Sequence, residues 1–161
     1  MSLPIFTSEM IFIHPELKDH NREDVIQFLC AKMADQNYVT DEYFEQVIHR
    51  EALHPTGLPT LPAASAVPHA DPIGVNHTGI ALAVLDKPVI FNAMDNPKLE
   101  LSVSLVFLMS FIKGDQIAVL RWISNVLGSQ ETVRSITQAA DAEGAYRIIE
   151  PFLKNNHESR G

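Results

Sequence analysis

The sequence predicts an α/β layered domain with a central sheet flanked by helices. Strand-like and helical periods come in blocks, in the order strand, two helices, several strands, three helices. Residues 99–111 (LELSVSLVFLMSF) pass from alternating to continuously apolar, as a strand covered on both faces does. With 46% hydrophobic and 20% charged side chains, 161 residues can bury one proper core without long disorder. The expected organisation is one domain over residues 5–153 followed by a polar tail, 154–161. No internal repeat, low-complexity tract or interdomain linker interrupts it.

Each element has its own ground. Residues 5–13 carry Phe6, Met10 and Phe12 at same-parity positions and suit a strand. Asn21 is a good N-cap, Asp24 falls in the turn after it, and Val25, Phe28, Leu29 and Met33 recur at helical spacing until Asn37. Cys30, the single cysteine, lies in that pattern and reads as a small core residue, so no internal disulfide or thiolate metal cluster is available. Thr40 or Asp41 caps a second helix with Phe44, Val47 and Ile48 as its apolar stripe. That helix ends before Pro55, because the residue preceding a proline is pushed out of helical angles.

Residues 55–62 (PTGLPTLP) are a loop by composition. Strands are expected at 66–69, at 77–85 (HTGIALAVL), briefly at 87–91, and along 99–111. Beyond Lys113-Gly114 the period turns helical: Ile117, Leu120, Ile123 and Leu127 form a stripe that Gly128 can end. Residues 129–139 and 141–153 read as two more helices. The tail from Lys154 is expected to fray.

Charge and hydropathy narrow the function classes. A formal net charge of −8, with twelve scattered basic residues, counts against sequence-independent nucleic-acid binding and favours basic protein partners. No apolar run approaches the roughly 20 residues of a bilayer span. The N-terminus lacks the basic-then-apolar pattern of a secretory signal. A cytoplasmic location without membrane insertion is therefore expected. The chain ends soon after Leu153, which predicts a free-standing component.

Among seven histidines, His14, His20 and His157 read as surface residues, and His77 as the cap of a strand. His49 and His54 are five apart, the wrong spacing for two ligands on one helical face, so no metal site is expected. His69 differs in its setting, AVPHADPIG. Pro68 restricts the backbone before it and Asp71-Pro72 turns the chain away just after. An imidazole presented toward solvent in a fixed direction suits a nucleophile, because pre-organisation removes orientational entropy from the reaction. A histidine that simply hydrogen-bonds within a turn fits the same local sequence. Arg50, near the end of the second helix and beside Thr56-Gly57, is either a solvated helix-end charge or a forked cation that reaches a phosphoryl group. Neither a GxxxxGKS/T loop nor a GxGxxG turn is present, so a phosphoryl group would arrive from another protein and not from bound nucleotide. A GxSxG nucleophile elbow is also missing.

The segments REALHPTGLP, AVPHADPIGVNHTGIALAVLDKPVIF and LVFLMSFIKGDQIAVLRWISNVL resemble the enzyme IIA components of the fructose/mannitol class of the bacterial sugar phosphotransferase system. The likeness runs over residues 5–153, and its most specific part pairs the R-E…T-G segment with the downstream A-x-P-H. It implies a central mixed sheet flanked by helices, the mannitol-type enzyme IIA fold. It also implies that His69 accepts a phosphoryl group from the histidine-containing phosphocarrier protein and passes it to an enzyme IIB component. Arg50 would orient the site and neutralise phosphoryl oxygens, Thr56 and Gln116 would line the phosphoryl pocket, and no metal or organic cofactor is implied. Gln116 stands where many members carry a second histidine. Glutamine donates a hydrogen bond but carries no charge, so it should stabilise a phosphohistidine less and a mannitol or nitrogen-regulatory member is not expected; a glutamine there resembles the galactitol-type branch. A regulatory protein on the same fold, whose phosphorylation state controls partner binding, is the alternative. An interaction module in which His69 is purely structural is a third reading.

Overall fold

The computed structural model describes the backbone of residues 3–160 and the side chains of residues 3–153. A 3-10 turn (Ser8–Met10) leads into strand β1 (Ile11–Ile13), helices α1 (Arg22–Asp35) and α2 (Glu42–Leu53), and short strands β2 (Gly57–Leu58) and β3 (Ala64–Ala66). The long strands β4 (Gly79–Asn92) and β5 (Glu100–Ser110) follow, then helices α3 (Gln116–Leu127), α4 (Gln130–Thr137) and α5 (Ala142–Arg160). The sheet order is β1-β4-β5-β3-β2. β1/β4 and β3/β5 are parallel, whereas β4/β5 and β2/β3 are antiparallel, so the sheet is mixed.

Period-two alternation along β4 and β5 divides the core into two layers. Ile80, Leu82, Val84, Leu105, Phe107 and Met109 face α3, α4 and α5, joining Val119, Trp122, Ile123, Val126, Val133 and Ile149. Ala81, Ala83, Val106 and Leu108 face the other way, against Val25, Ile26, Leu29 and Met33 of α1 and Tyr43 and Val47 of α2. The apolar run of β5 thus reflects helices on both faces, as its composition predicts. Cys30 is buried in the α1 layer, and burial pushes its thiol up to about 12, so it packs as a small apolar group.

Some local signals hold; the cap expected at Thr40 or Asp41 does not, since Asp41 stands at the N-cap of α2 without a side-chain cap hydrogen bond and the Thr40 hydroxyl turns to the Gly74 carbonyl. The Asn21 side chain accepts a hydrogen bond from the Asp24 amide at 2.9 Å and starts α1. Asn21→Ala is expected to cost about 1 kcal/mol in a denaturant titration, and an unchanged midpoint would remove that cap from the account. Ser129 caps α4 in the same way, through the Thr132 amide at 3.2 Å.

Several expectations shift. Residues 5–13 are not one strand: the Met10 amide bonds to the Thr7 carbonyl, and this turn breaks the parity, sending Phe6 to the α3–α5 layer and Met10 to the α1–α2 layer. The two strands expected at 77–85 and 87–91 are one, β4, with a register shift between Val84 and Val89. The strand placed at 66–69 lies at Ala64–Ala66, and the loop at 55–62 contains β2. Gly57 is required there, because a Cβ would lie 2.6 Å from the Asn92 carbonyl oxygen across the sheet. Ile117 is not part of the α3 stripe but is 73% exposed; Val119 and Trp122 take the core positions instead. α5 extends through Arg160, past the point where fraying was expected, and the side chain of His157 lies outside the described residues.

Candidate functional site

His69 follows β3 by three residues, on a segment held at several points. The Val67 amide reaches the carbonyl and the hydroxyl of Thr56, both at 3.3 Å. The Pro68 carbonyl accepts from the Met109 amide of β5 at 3.1 Å. The Ala70 amide donates to the hydroxyl of Tyr43, which in turn donates to the Met109 carbonyl at 2.6 Å. Gly74, at φ +80°, then turns the chain against the start of α2, where its carbonyl accepts from the Thr40 amide. The prolines limit the backbone, but the direction of the segment is fixed by bonds from α2 and β5.

The His69 ring does not project into solvent, as its strand-end position suggested; it is only 7% exposed. Its edge lies against Phe111, with ring centroids 5.6 Å apart and planes at 72°. Nδ1 sits 2.7 Å from the Val67 carbonyl oxygen. A carbonyl only accepts, so Nδ1 carries the proton and Nε2 keeps its lone pair. Among the described residues, the one buried side-chain polar atom without a partner is Nε of Arg50. Nε2 of His69 also makes no hydrogen bond and is not such a buried atom, so it keeps contact with solvent. The ring is therefore embedded with one nucleophilic nitrogen at the surface. Of the histidines whose side chains are described, only His69 is buried.

Burial pushes the His69 pKa below its ordinary value near 6.5; the Val67 carbonyl opposes this, and the Arg50 charge adds to the lowering. Between the folded midpoint and 6.5, the unfolded chain binds more protons than the folded one. This contribution to stability is complete above 6.5 and is lost as pH falls through that window. An NMR titration of the His69 ring should give a midpoint below 6.5, and a midpoint at or above it would contradict the burial of the ring. In chemical terms, the neutral nucleophile persists at lower pH than free imidazole does.

Arg50 lies in the last turn of α2, half-buried, and its charge is felt at the His69 ring. Its Nε has no acceptor. A guanidinium beside a nucleophilic nitrogen, with a buried donor unpaired, is suited to bind an anion. Thr56 is buried, and its hydroxyl is taken up by Glu51 and Val67. It therefore stands behind the histidine as part of the scaffold, and its hydroxyl proton is not free to line a phosphoryl pocket. Gln116 is the first residue of α3, exposed and without a hydrogen bond to His69. The Arg50 charge is felt at the His69 ring, whereas Gln116 makes no hydrogen bond to it.

Two residues of the site have no role that the sequence reveals. Glu51 is 3% exposed, and its two carboxyl oxygens accept from the Thr56 amide and hydroxyl, each at 2.8 Å. Burial pushes its carboxyl up, against those two bonds and the charges of Arg22 and Arg50. The available signal is a carboxylate five residues before a threonine across a helix end, inside the R-E…T-G segment. Tyr43 carries no comparable sequence signal, since its hydroxyl meets residues 70 and 109 only through the fold. No group of three or more His, Cys, Asp or Glu side chains converges to hold a metal among the described residues.

A family model described as phosphoenolpyruvate-dependent sugar phosphotransferase system, EIIA 2, matches residues 4–151. A nitrogen regulatory protein of Bradyrhizobium diazoefficiens is 28% identical over 141 residues, covering 85% of this chain and 88% of its own. The mannitol-specific phosphotransferase enzyme IIA component of Geobacillus stearothermophilus is 25% identical over 152 residues, covering 92% and 97%. Among solved structures, the complex of enzyme IIA and phosphorylated enzyme IIB for mannitol from Escherichia coli superposes with a TM-score of 0.77, at 20% identity over 91% of this chain and 99% of that one. The nitrogen regulatory protein IIA-Ntr of Neisseria meningitidis does so at 0.74, with 22% identity over 90% and 96%. These neighbours share the mixed-sheet fold described above. The two relatives by sequence are mannitol-specific and nitrogen-regulatory, and neither supports the galactitol-type leaning. By the match across nearly all of its length, the chain belongs to the EIIA 2 family of the phosphoenolpyruvate-dependent sugar phosphotransferase system.

Proposed function

We propose that this protein is a cytoplasmic phosphocarrier whose His69 accepts a phosphoryl group from the histidine-containing phosphocarrier protein and passes it to an enzyme IIB component during sugar or polyol uptake. The observation that carries this is the state of the ring: Nδ1–H is engaged by the Val67 carbonyl, and Nε2 is left at the solvent edge, where the charge of Arg50, whose Nε has no partner among the described residues, is felt. The Nε2 lone pair attacks phosphorus. A P–N bond forms as the donor's P–N bond breaks, and the donor nitrogen keeps that bond's electron pair. The proton stays on Nδ1, where the Val67 carbonyl stabilises the positive charge that develops on the ring. Arg50 faces the phosphoryl oxygens, and no acid–base group is needed, as expected where transfer depends on position and charge. Ile73 and Ile112, 54% and 44% exposed, follow His69 and its packing partner Phe111 in sequence and give a protein partner apolar surface beside the nucleophile. Among the described residues, no helix is long and apolar enough to cross a membrane.

Gln116 alone supports a galactitol-type assignment. The mannitol-specific relative supports a polyol route of the mannitol kind, and the nitrogen-regulatory relative supports the second reading, in which phosphorylation of His69 switches a docking surface. Incubation with phosphoenolpyruvate, enzyme I and the histidine-containing carrier should place an acid-labile, base-stable phosphate on Nε2 of His69, absent in His69→Ala. If no such phosphate forms, both readings fail. Loss of the label to an added enzyme IIB identifies a carrier, and retention of it against all such partners identifies a regulator.

A further inference from the structure

We infer that Glu51 and Thr56 are positioning residues for His69: a hydrogen-bond relay from the Glu51 carboxylate through Thr56 to Val67 holds the carbonyl that decides which ring nitrogen carries the proton. The inference rests on His69 being the phosphoryl acceptor, but its first readout is independent of that reading.

A buried carboxylate is costly unless its hydrogen bonds are made, and both carboxyl oxygens of Glu51 bond to one residue, Thr56. The Thr56 hydroxyl, having donated to Glu51, keeps lone pairs and accepts from the Val67 amide. The Thr56 carbonyl takes the same amide, so one residue grips Val67 twice. Val67 then offers its own carbonyl to Nδ1 of His69 at 2.7 Å. On the far side, Pro68 and Ala70 are already fixed by Met109 and Tyr43. Thr56 therefore controls the anchor of Val67 that comes from the loop after α2. Glu51 orients that anchor because it accepts the Thr56 amide and hydroxyl together. Arg50 is its neighbour on α2, so a single helix end sets both the guanidinium and the acceptor for Nδ1. Without the relay Val67 can turn about its own φ and ψ and carry its carbonyl away from Nδ1, the proton redistributes over both nitrogens, and Nε2 loses its lone pair for part of the time.

The full chain tests this by nitrogen–proton correlation spectroscopy of the His69 ring above its titration midpoint. In the unaltered protein the Nδ1–H tautomer should dominate. Thr56→Val keeps the shape and removes the hydroxyl; it should move a substantial share of the ring to Nε2–H and slow phosphorylation about tenfold, the scale of one lost hydrogen bond in a fixed site. Thr56→Ser should restore both, and Glu51→Gln should fall between. Val126→Ala, a buried apolar truncation on α3 that removes no hydrogen bond, loosens packing generally and should leave the tautomer unchanged. The relay is overturned if folded Thr56→Val and Glu51→Gln keep the unaltered tautomer, or if Val126→Ala shifts it equally. If Thr56→Val does not fold, Glu51→Gln against Thr56→Ser decides the matter on the same terms. A tautomer that shifts in a protein never phosphorylated on His69 keeps the relay and removes the carrier reading. Phosphorylation with an unmoved tautomer does the reverse.

Discussion

Arg50→Ala is expected to slow phosphoryl transfer to His69 about 10²-fold, the usual cost of removing a charge-stabilising donor from a transfer site. The reason lies in how α2 ends. Arg50 stands one residue before Glu51, half-buried, with an Nε that nothing among the described residues accepts. Its cost in the resting protein is offset when phosphoryl oxygens approach, so its effect is concentrated in the transfer step. Arg50→Lys keeps the charge but not the fork and should fall roughly tenfold below the unaltered protein. Rapid-quench transfer from the phosphorylated carrier reads both, with thermal unfolding as the control for the fold. The His69 midpoint should rise in Arg50→Ala, because the guanidinium contributes to its lowering. An unchanged rate and midpoint together would remove Arg50 from the site.

Phe107→Ala should be the most destabilising single change in the sheet, by about 3–5 kcal/mol. Phe107 is fully buried in the middle of β5, opposite Leu82 of β4, under the layer formed by α3, α4 and α5. Truncation leaves a cavity that a strand bonded on both sides cannot close. For a domain of this size such a loss corresponds to a melting temperature lower by roughly 6–20 °C. Calorimetry of the variant reads it directly, and a loss below about 1 kcal/mol would mean that the two layers repack around the gap. His69 lies on the segment bonded to Met109, two residues along β5. Damage at Phe107 should therefore appear first as instability and only second as slower transfer.

The candidate site is legible in the sequence only in part. His69 stands out because prolines restrict its backbone, and Arg50 because a forked cation ends a helix near a Thr-Gly turn. Thr56 has the expected neighbourhood but a different contact: its hydroxyl faces Glu51 and Val67. Gln116 enters through likeness to a pattern in other chains, and in the structure it is an exposed helix start with no bond to the histidine. Glu51 is visible as a letter of the motif but not as a buried acceptor, since burial depends on what folds over it.

By itself, the sequence determined the layered α/β class, the two-faced burial of β5, the cap at Asn21, and the restricted setting that nominates His69. These follow from periodicity and from side chains that bond within a few residues, so neighbours in sequence suffice. Only the tertiary structure decided that β4 is one strand, that the start of the chain crosses from one core layer to the other, and that the imidazole is embedded with its proton on Nδ1. The embedding of the ring depends on groups that only the fold brings together: Tyr43 with Ala70, Thr56 with Val67, His69 with Phe111; the acceptor for Nδ1 is Val67, two residues back along the same segment. A local pattern can nominate a histidine, but the ring nitrogen that keeps its lone pair is decided by the acceptor placed against the other one.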